Sequence, residues 1–493
     1  MMNGTTAVES IAKETTCNGY GFLTILYSLY VYCMFYIYLG KPILVPIVHK
    51  NIWNPVAIFL GNLRYGTILF YVSLLVLTTA YLAVDTIDNR NRLIPISGLF
   101  IFLLIGYVFC TDRSKIAWRT VTWGIILQFV FGLMTVRWVV GRNVLQCVGD
   151  KVNNLLGYSF EGAAFAYGDD LVFTQGIFAF KALSSIYLTS FLVNILYYYG
   201  IMQKAVGAIG NFLQWIMGTS ICESVNSAAN IFLGMSEAPL LLAPYLKDLT
   251  DSEIHSIMTA GFATVSGSVM AAYITYGARA QDLITSSIMS APAALCFSKL
   301  MVPQTEEVRI HKNNVHTIEI EYQSVMDAAS RGAIDAFKIV IGIIASVIAF
   351  LAFVYCINGI LAWLGLLVGT AWSLEVIVGK IFIPVSYLMG VPWEECENVG
   401  ILIGIKTMVN EFVAFERMHV MISADLLSER TKVIATYAIC GFSNPGSIGI
   451  QMSALGTLMP NKRDAIARLV FRAFLGGPGL FHDRLYSWGI DAR

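Results

Sequence analysis

Long apolar runs separated by short polar connections dominate the pattern of the chain. A helix needs about 17–25 predominantly apolar residues to cross the hydrocarbon core of a bilayer. Runs of this kind occupy residues 21–48, 55–84, 94–110, 118–140, 173–199, 284–301 and 339–367. The apolar residues of 143–160 recur at helical spacing on one side only, which predicts an amphipathic helix lying on the membrane. The pattern therefore predicts an all-α polytopic membrane protein.

One stretch, Met217–Pro244, carries polar groups that a bilayer does not tolerate. Two carboxylates, Glu223 and Glu237, lie among apolar residues there, together with the helix breakers Gly234 and Pro239. A charged group at membrane depth is costly unless it faces a partner or a water-filled cavity. Non-helical backbone survives at that depth only inside the protein. The stretch is therefore predicted to be a broken or re-entrant segment that lines a polar site.

The second half of the chain repeats this feature. Asn410 and Glu411 interrupt one apolar run, and Asn444 with Pro445 interrupts another. Interrupted segments in corresponding positions of two halves indicate the binding site of an inverted-repeat transporter, with two re-entrant helical hairpins and broken transmembrane helices. The alternative is that these side chains only join neighbouring helices by hydrogen bonds. Between the interruptions, Ile257–Tyr273 is predicted to be one helix, rich in small residues that allow close packing.

Composition supports the membrane interpretation and excludes several functions. The chain of 493 residues is 57% hydrophobic and 13% charged, with a mean hydropathy of +0.67, which is far above the soluble average. Basic and acidic residues balance at 32 each, so no nucleic-acid partner is expected. The sequence has no HExxH, GxSxG or paired-cysteine motif, so we expect neither an enzyme nor an organic cofactor.

The polar residues of the interruptions suit an uncharged ligand with several hydroxyl or N–H groups. An ionised glutamate such as Glu237 or Glu411 accepts hydrogen bonds only. Asn444 and Ser447 can both donate and accept. This set fits a neutral polyhydroxylated or heterocyclic solute better than an anion, which would favour arginine.

Oxygen ligands for a cation are also present. The amide of Asn230, the carbonyl of Leu233 in an unwound segment and the hydroxyl of Ser236 are hard oxygen donors. Apolar or aromatic contact with a solute could come from Phe415 and Phe442. The residues alone therefore leave a neutral solute, a cation or both as the ligand.

Four stretches of the sequence carry a resemblance to a known family. Residues 218–246 read GTSICESVNSAANIFLGMSEAPLLLAPYL, and residues 257–277 read IMTAGFATVSGSVMAAYITYG. Residues 404–418 read GIKTMVNEFVAFERM, and residues 435–450 read ATYAICGFSNPGSIGI. These stretches resemble the first hairpin, the following helix, the second hairpin and the broken helix of the concentrative, sodium-coupled nucleoside transporters. The resemblance extends over roughly residues 94–477 and is to the animal members.

The resemblance implies a multi-pass homotrimer in the plasma membrane that imports nucleosides with sodium by alternating access. The implied organisation begins with a polar tail (1–18), three N-terminal transmembrane helices (19–111), and a scaffold helix with an amphipathic interfacial helix (112–170). It continues with the first half of the transport core and its hairpin (171–302), a hydrophilic linker (303–331), the second half with its hairpin and broken helix (332–477), and a short atypical tail (478–493).

Carried over to this sequence, the resemblance assigns residues to three subsites. Sodium would be held by Asn230, Leu233, Ser236, Thr264 and Val265. The base of the nucleoside would be contacted by Gly234, Met235, Ser236, Glu237, Ser268 and Val269. The ribose would be contacted by Glu411, Phe442, Asn444 and Ser447.

Met235 favours purine nucleosides. Broad-specificity members have glutamine at this position, and methionine lacks the hydrogen bonds of glutamine but packs well on the larger face of a purine. Ser268 instead favours a broader specificity, because serine is the residue seen at this position in broad-specificity members.

Three features depart from the family pattern. Ala243 stands where arginine is usual in animal members, and the pair Pro445–Gly446 is unusual, since proline removes a backbone donor beside the ribose. The last apolar run, after Gly477, is too short to cross a membrane and predicts a shortened chain. The alternatives are a proton-coupled transporter with Glu237 or Glu411 as proton carrier, and a non-transporting chain that regulates an intact partner.

Overall fold

The computed structural model describes residues 94–477, except 243–244, 311–321 and 371, and eight isolated residues before residue 90. The polypeptide divides into two compact units, 1–90 and 91–493, and every element named below belongs to the second. Apart from those eight residues, the predicted spans 21–48 and 55–84 lie outside the described residues, as do the predicted tails 1–18 and 478–493 and Ala243.

Sixteen α-helices, and no strand, form the described part of the second unit. The first nine are α1 (Ile94–Val108), α2 (Trp118–Gly132), α3 (Val139–Tyr167), α4 (Ser184–Tyr198), α5 (Ile201–Met217), α6 (Ile221–Ala229), α7 (Asp251–Ala263), α8 (Gly267–Thr275) and α9 (Ala280–Met301). The others are α10 (Val325–Leu367), α11 (Leu374–Leu388), α12 (Cys396–Met408), α13 (Glu411–Ser423), α14 (Glu429–Ile439), α15 (Pro445–Leu458) and α16 (Arg463–Gly476). The predicted all-α fold class is confirmed.

Two helices, α9 and α10, are long and apolar enough to cross a membrane. Two helix pairs reach the same length and hydropathy together but are bent, α2 with α3 by 79° and α4 with α5 by 81°. The described residues therefore hold two spans, or up to four if each bent pair counts as one. α10 alone has 43 residues, which is about 65 Å of helix and roughly twice the thickness of the hydrocarbon core.

Several helix boundaries differ from those predicted from the sequence, three of them substantially. The predicted span 118–140 ends in a π-helical turn at Leu133–Arg137, after which the chain bends into α3. The predicted span 173–199 becomes regular α-helix only at Ser184. α10 begins inside the predicted linker 303–331.

The largest difference is a break in the predicted helix Ile257–Tyr273. α7 ends at Ala263, and Thr264 has an extended backbone with φ −111° and ψ 168°. Ser266 then starts α8, because its side-chain oxygen accepts a hydrogen bond from the N–H of Val269 at 3.2 Å. This cap satisfies a donor that the new helix leaves without an intrahelical partner. The prediction of a single helix is wrong.

The breaks predicted in the second half are present. Asn410 starts α13 by accepting a hydrogen bond from the N–H of Val413 at 3.0 Å. Asn444 starts α15 by accepting one from the N–H of Ser447 at 2.9 Å. Pro445 occupies the first position of α15, where a helix needs no donor and favours the fixed φ of proline. The unusual proline therefore fits the break.

α2 packs closely against α9 through a small residue. A Cβ atom added to Gly124 of α2 would lie 2.5 Å from the Cβ of Cys296 and 3.1 Å from the carbonyl oxygen of Pro292, both on α9. The thiol of Cys296 also donates to the carbonyl of Val121 at 3.4 Å. Small residues allow two helix backbones to approach in this way.

Replacing Gly124 by alanine should destabilise the protein by about 1–3 kcal/mol, since α2 and α9 must separate to admit the methyl group. Gly157 of α3 is the matched control, because a Cβ there meets nothing within 4 Å. Alanine at 157 should be neutral or stabilise by up to about 1 kcal/mol through helix propensity. The thermal midpoint of the detergent-solubilised protein, followed by size exclusion, checks this; equal midpoints for both variants would contradict the close contact.

Candidate functional site

Four breaks in helices meet around one cavity of about 360 Å³. The first two breaks are the unwound turn after α6 and the turn between α7 and α8. The other two separate α12 from α13 and α14 from α15, and α10 closes one side. Cavities of about 300–1,000 Å³ suit small organic ligands. The breaks, rather than the regular helices, therefore build the candidate site.

Most of the residues assigned to the substrate by resemblance line this cavity. They are Gly234, Met235, Ser236, Glu237, Val269, Glu411, Phe442, Asn444 and Ser447. The side chain of Ser268 lies outside the described part of the structure. Glu237 and Glu411, which are distant in sequence, border the same cavity, so the broken segments of the two halves form one site.

The unwound turn after α6 is held by its own carboxylate. The N–H of Gly234 donates to Oε2 of Glu237 at 3.1 Å, and the N–H of Glu237 donates to the carbonyl of Gly234 at 3.0 Å. A Cβ atom at Gly234 would lie 3.4 Å from the Cβ of Ser266. The turn that carries the first glutamate therefore packs directly on the turn between α7 and α8.

Glu411 is buried and oriented by Asn444. Nδ2 of Asn444 donates to Oε2 of Glu411 at 2.8 Å, while Oδ1 of the same amide accepts the N–H of Ser447. The two side chains belong to residues that are only 3% and 4% exposed. Asn444 therefore links the start of α15 to the start of α13 and fixes the position of the second carboxylate.

Aromatic side chains support the second hairpin. Phe412 lines the cavity and packs edge-on against Tyr273, with 5.1 Å between the ring centroids. Tyr273 stacks in turn on Phe415, at 4.4 Å. Phe442 borders the cavity as expected, but Phe415 is fully buried and lies behind the wall. The expectation that Phe415 offers direct contact with a solute is corrected by this packing.

The residues assigned to sodium lie on two adjacent turns. Asn230 ends α6 and is fully buried, and within the described part of the chain neither atom of its amide has a hydrogen-bond partner. The N–H of Gly267 donates to the carbonyl of Phe232 at 3.0 Å and joins the two turns. The hydroxyl of Thr264 donates to the carbonyl of Ala260 at 2.9 Å, which leaves its lone pairs available. The remaining members, on the same turns, are Leu233, Ser236 and Val265.

Some residues of the cavity were missed by the sequence analysis. Lys338 borders the cavity from α10 and pairs with Asp335 at 2.8 Å. The signal for it was a charged pair at helical spacing directly before the apolar run 339–367. Ser266 was not predicted because the sequence around it was interpreted as a single continuous helix. Phe412 was not predicted because its sequence context is the same as that of an ordinary aromatic residue of the core.

Broken helices from two halves of an all-α bundle, meeting at one polar cavity, define the fold of a membrane transporter with two re-entrant hairpins. Family models match three parts of the chain: Na+ dependent nucleoside transporter N-terminus at residues 97–170, Nucleoside recognition at 179–280, and Na+ dependent nucleoside transporter C-terminus at 282–478. The chain belongs to the sodium-dependent, or concentrative, nucleoside transporter family.

Individual relatives cover most of this chain. Sodium/nucleoside cotransporter 2 of Mus musculus is 38% identical over 444 residues, which are 87% of this chain and 65% of that protein. Sodium/nucleoside cotransporter 1 of Oryctolagus cuniculus is 41% identical over 412 residues, 80% of this chain and 62% of that protein. The chain thus spans slightly less than two thirds of the length of these curated relatives.

Solved structures show the same fold. A substituted form of CNTnw in an outward-facing state has a TM-score of 0.79 and 34% identity, over 82% of this chain and 100% of that chain. CNTnw in an inward-facing substrate-bound state has a TM-score of 0.75 and 35% identity, over 81% of this chain and 97% of that chain.

Asn444→Asp should destabilise the protein by about 3 kcal/mol, because it replaces the amide donor of buried Glu411 by a second carboxylate. The aspartate would still cap α15, so the loss of stability would come from the contact with Glu411 and not from the loss of a cap. Asn398→Asp is the control, since that half-buried amide donates only to the carbonyl of Leu426. Adding Glu411→Gln to Asn444→Asp should restore the thermal midpoint. A midpoint that stays low in the double variant would contradict the repulsion.

Proposed function

We propose that this chain imports nucleosides together with sodium across the plasma membrane by alternating access. The observation that carries the proposal is the presence of Glu237 and Glu411 in one cavity, beside the turns that contain Asn230 and Thr264. The relatives described above are sodium/nucleoside cotransporters, and CNTnw is known in outward-facing and inward-facing substrate-bound states. Two such states are what alternating access requires.

The side of the cavity formed by the second half suits the ribose. A carboxylate offers about four acceptor positions, and Asn444 uses one of those on Glu411. The remaining positions can accept hydrogen bonds from sugar hydroxyls. The hydroxyl of Ser447 can exchange donor and acceptor roles with the same hydroxyls, and Phe442 offers an apolar face beside the ring.

The side formed by the first half suits the base. Met235 and Val269 provide apolar contact, and Glu237 provides acceptors for N–H groups of the base. Because the thioether of Met235 packs well on a large flat surface and offers no strong hydrogen bond, we propose a preference for purine nucleosides.

The donor set of the two adjacent turns fits a sodium ion. The amide of Asn230 is buried, and neither of its polar atoms has a hydrogen-bond partner within the described part of the chain. The hydroxyl oxygens of Ser236 and Thr264 and the backbone carbonyls of Leu233 and Val265, on the same two turns, would complete the ligand set. When bound there, the ion supplies the positive charge that holds these oxygens together. The same turns carry Ser236, which borders the substrate cavity, so occupation of one site favours occupation of the other by the same factor in both directions.

The proposal includes assembly as a homotrimer. α10 exposes large apolar side chains, among them Phe337, Ile348, Phe353 and Trp363. A face of this kind is covered by lipid or by another subunit. The resemblance to the family favours a second and third copy of this chain beside the lipid.

Glu411→Gln should raise the concentration of adenosine needed for half-maximal uptake by about 10–100-fold, the equivalent of the 1.5–3 kcal/mol of a charged hydrogen bond. Glu416→Gln, an exposed residue of the same helix, is the control and should leave uptake unchanged. Uptake of radiolabelled adenosine in cells lacking nucleoside transporters, corrected for surface expression, provides the measurement. Normal uptake by Glu411→Gln would remove this carboxylate from the site.

Replacing external sodium by choline should abolish concentrative uptake, because the oxygens around Asn230 would then lose their positive partner. Radiolabelled adenosine and uridine are compared in the same cells, and adenosine should be taken up more efficiently. Uptake that ignores the replacement but rises steeply on acidification would identify the proton as the coupling ion instead. Equal uptake of both nucleosides would contradict the purine preference alone.

A further inference from the structure

A buried ammonium group, that of Lys299, lies at the starts of the two helices whose other ends carry the sodium turns. Lys299, in the last turn of α9, is 4% exposed. Its Nζ contacts Oε2 of Glu223 at 2.6 Å, Oγ of Ser252 at 2.8 Å and Oε1 of Gln304 at 3.2 Å. An ammonium has three N–H donors, so these three oxygens satisfy it completely.

The first of these contacts fixes the start of α6. Oε1 of Glu223 accepts the N–H of Ser220 at 2.6 Å and completes the capping box of α6, while Oε2 of the same carboxylate binds Lys299. A second contact follows one turn later, where the hydroxyl of Ser227 donates to the carbonyl of Ala291 on α9 at 3.0 Å. α6 is therefore held on α9 in one position along its axis.

The other two contacts fix the start of α7. Ser252 lies in the first turn of α7 and, besides accepting from Lys299, donates to the carbonyl of Val302 at 2.7 Å. Gln304 links Lys299 to the cap of α7, because its Nε2 also donates to the hydroxyl of Thr250, the residue that caps α7. Lys299 thus touches the first turn of α7 directly and its cap through one side chain.

Both helices that begin at Lys299 end at the proposed sodium site. α6 has nine residues and leads to Asn230, and α7 has 13 residues and leads to Thr264. At 1.5 Å per residue these are straight segments of about 13 Å and about 20 Å. A short helix transmits an axial shift of its start to its end, so the separation of the two turns depends on how the two starts are held together.

We propose that Lys299 is a positioning residue for the coupling ion: by binding Glu223 and Ser252 at once, it sets the register of α6 against α7 and thereby aligns the two halves of the sodium site. The inference rests on the proposed sodium coupling and deepens it. Lys299 itself touches neither the ion nor the substrate cavity, and acts through the two helices.

A purely structural ion pair is the competing explanation. Removing one partner of a buried pair is strongly destabilising because the other charge remains without compensation, whereas removing both charges is often tolerated. The two explanations therefore separate in a double variant that folds but lacks the ammonium. Glu223→Gln with Lys299→Met is this variant, because glutamine keeps an oxygen for the cap of α6 and methionine keeps the volume of the lysine stem.

The experiment compares the unmodified chain with Lys299→Met, with the double variant and with Lys432→Met, which breaks an exposed pair with Glu429. Each protein is purified in detergent, and its thermal midpoint is titrated with sodium chloride at constant ionic strength, first without and then with adenosine. We expect the sodium concentration for half-maximal stabilisation to rise by at least about tenfold in the double variant, the size of effect seen when the support of a metal ligand is lost. At saturating sodium the adenosine response should stay within about twofold, and Lys432→Met should match the unmodified chain.

Each outcome decides between the explanations. A double variant with a restored midpoint and an unchanged sodium titration would overturn the positioning role and leave a structural ion pair. Loss of the sodium and adenosine responses together would place the effect on the whole site and would also contradict the inference. An unmodified chain that shows no sodium response at all would instead defeat the proposed coupling, and so the two failures are distinguishable.

Discussion

Polar backbone at membrane depth has to find its partners inside the protein, and the helix starts around the candidate site show how this constraint is met. The helices of the broken segments, α6, α8, α13 and α15, each begin at a residue whose side chain accepts a hydrogen bond from the N–H of the third residue beyond it. These residues are Ser220, Ser266, Asn410 and Asn444. Without these caps the new helix starts would carry unpaired N–H groups in apolar surroundings, where each unpaired group costs a few kcal/mol. The caps therefore make it possible to open helices in the interior of the bundle.

The candidate site follows from the same constraint. Asn444 caps α15 and, with the other end of its amide, orients Glu411. Asn410 and Ser266 cap α13 and α8 and also border the cavity. Residues that satisfy the backbone at a break thus also line the cavity. A cavity lined by helix starts offers side chains and backbone groups of several elements. In regular helices the same backbone groups would be paired along the helix axis.

The polar groups around Lys299 and those at the cavity differ in how completely their hydrogen-bonding capacity is used. Around Lys299 the ammonium and the carboxylate of Glu223 satisfy each other and the neighbouring hydroxyl, so the group is closed. At the cavity, Glu411 accepts a hydrogen bond from the amide of Asn444. Asn230 has no partner among the described residues. The ammonium of Lys299 therefore has all its donors filled where two helices are anchored, whereas the amide of Asn230 is without a partner in the described part of the chain where an ion is proposed.

The sequence by itself determined the class of fold and most members of the site, while their roles came from the resemblance. Apolar runs of membrane length predict helices, because a helix pairs its own backbone groups where lipid offers no partners. Carboxylates inside or beside such runs make Glu237 and Glu411 candidates for a functional site. The break at Thr264 was not predictable, since small residues at Ile257–Tyr273 are equally compatible with a continuous helix. Only the tertiary structure decided that the four breaks meet, that Asn444 holds Glu411 and that Phe415 stays behind the wall. Those contacts join residues that are distant along the chain, and local pattern carries no information on which helix faces come together.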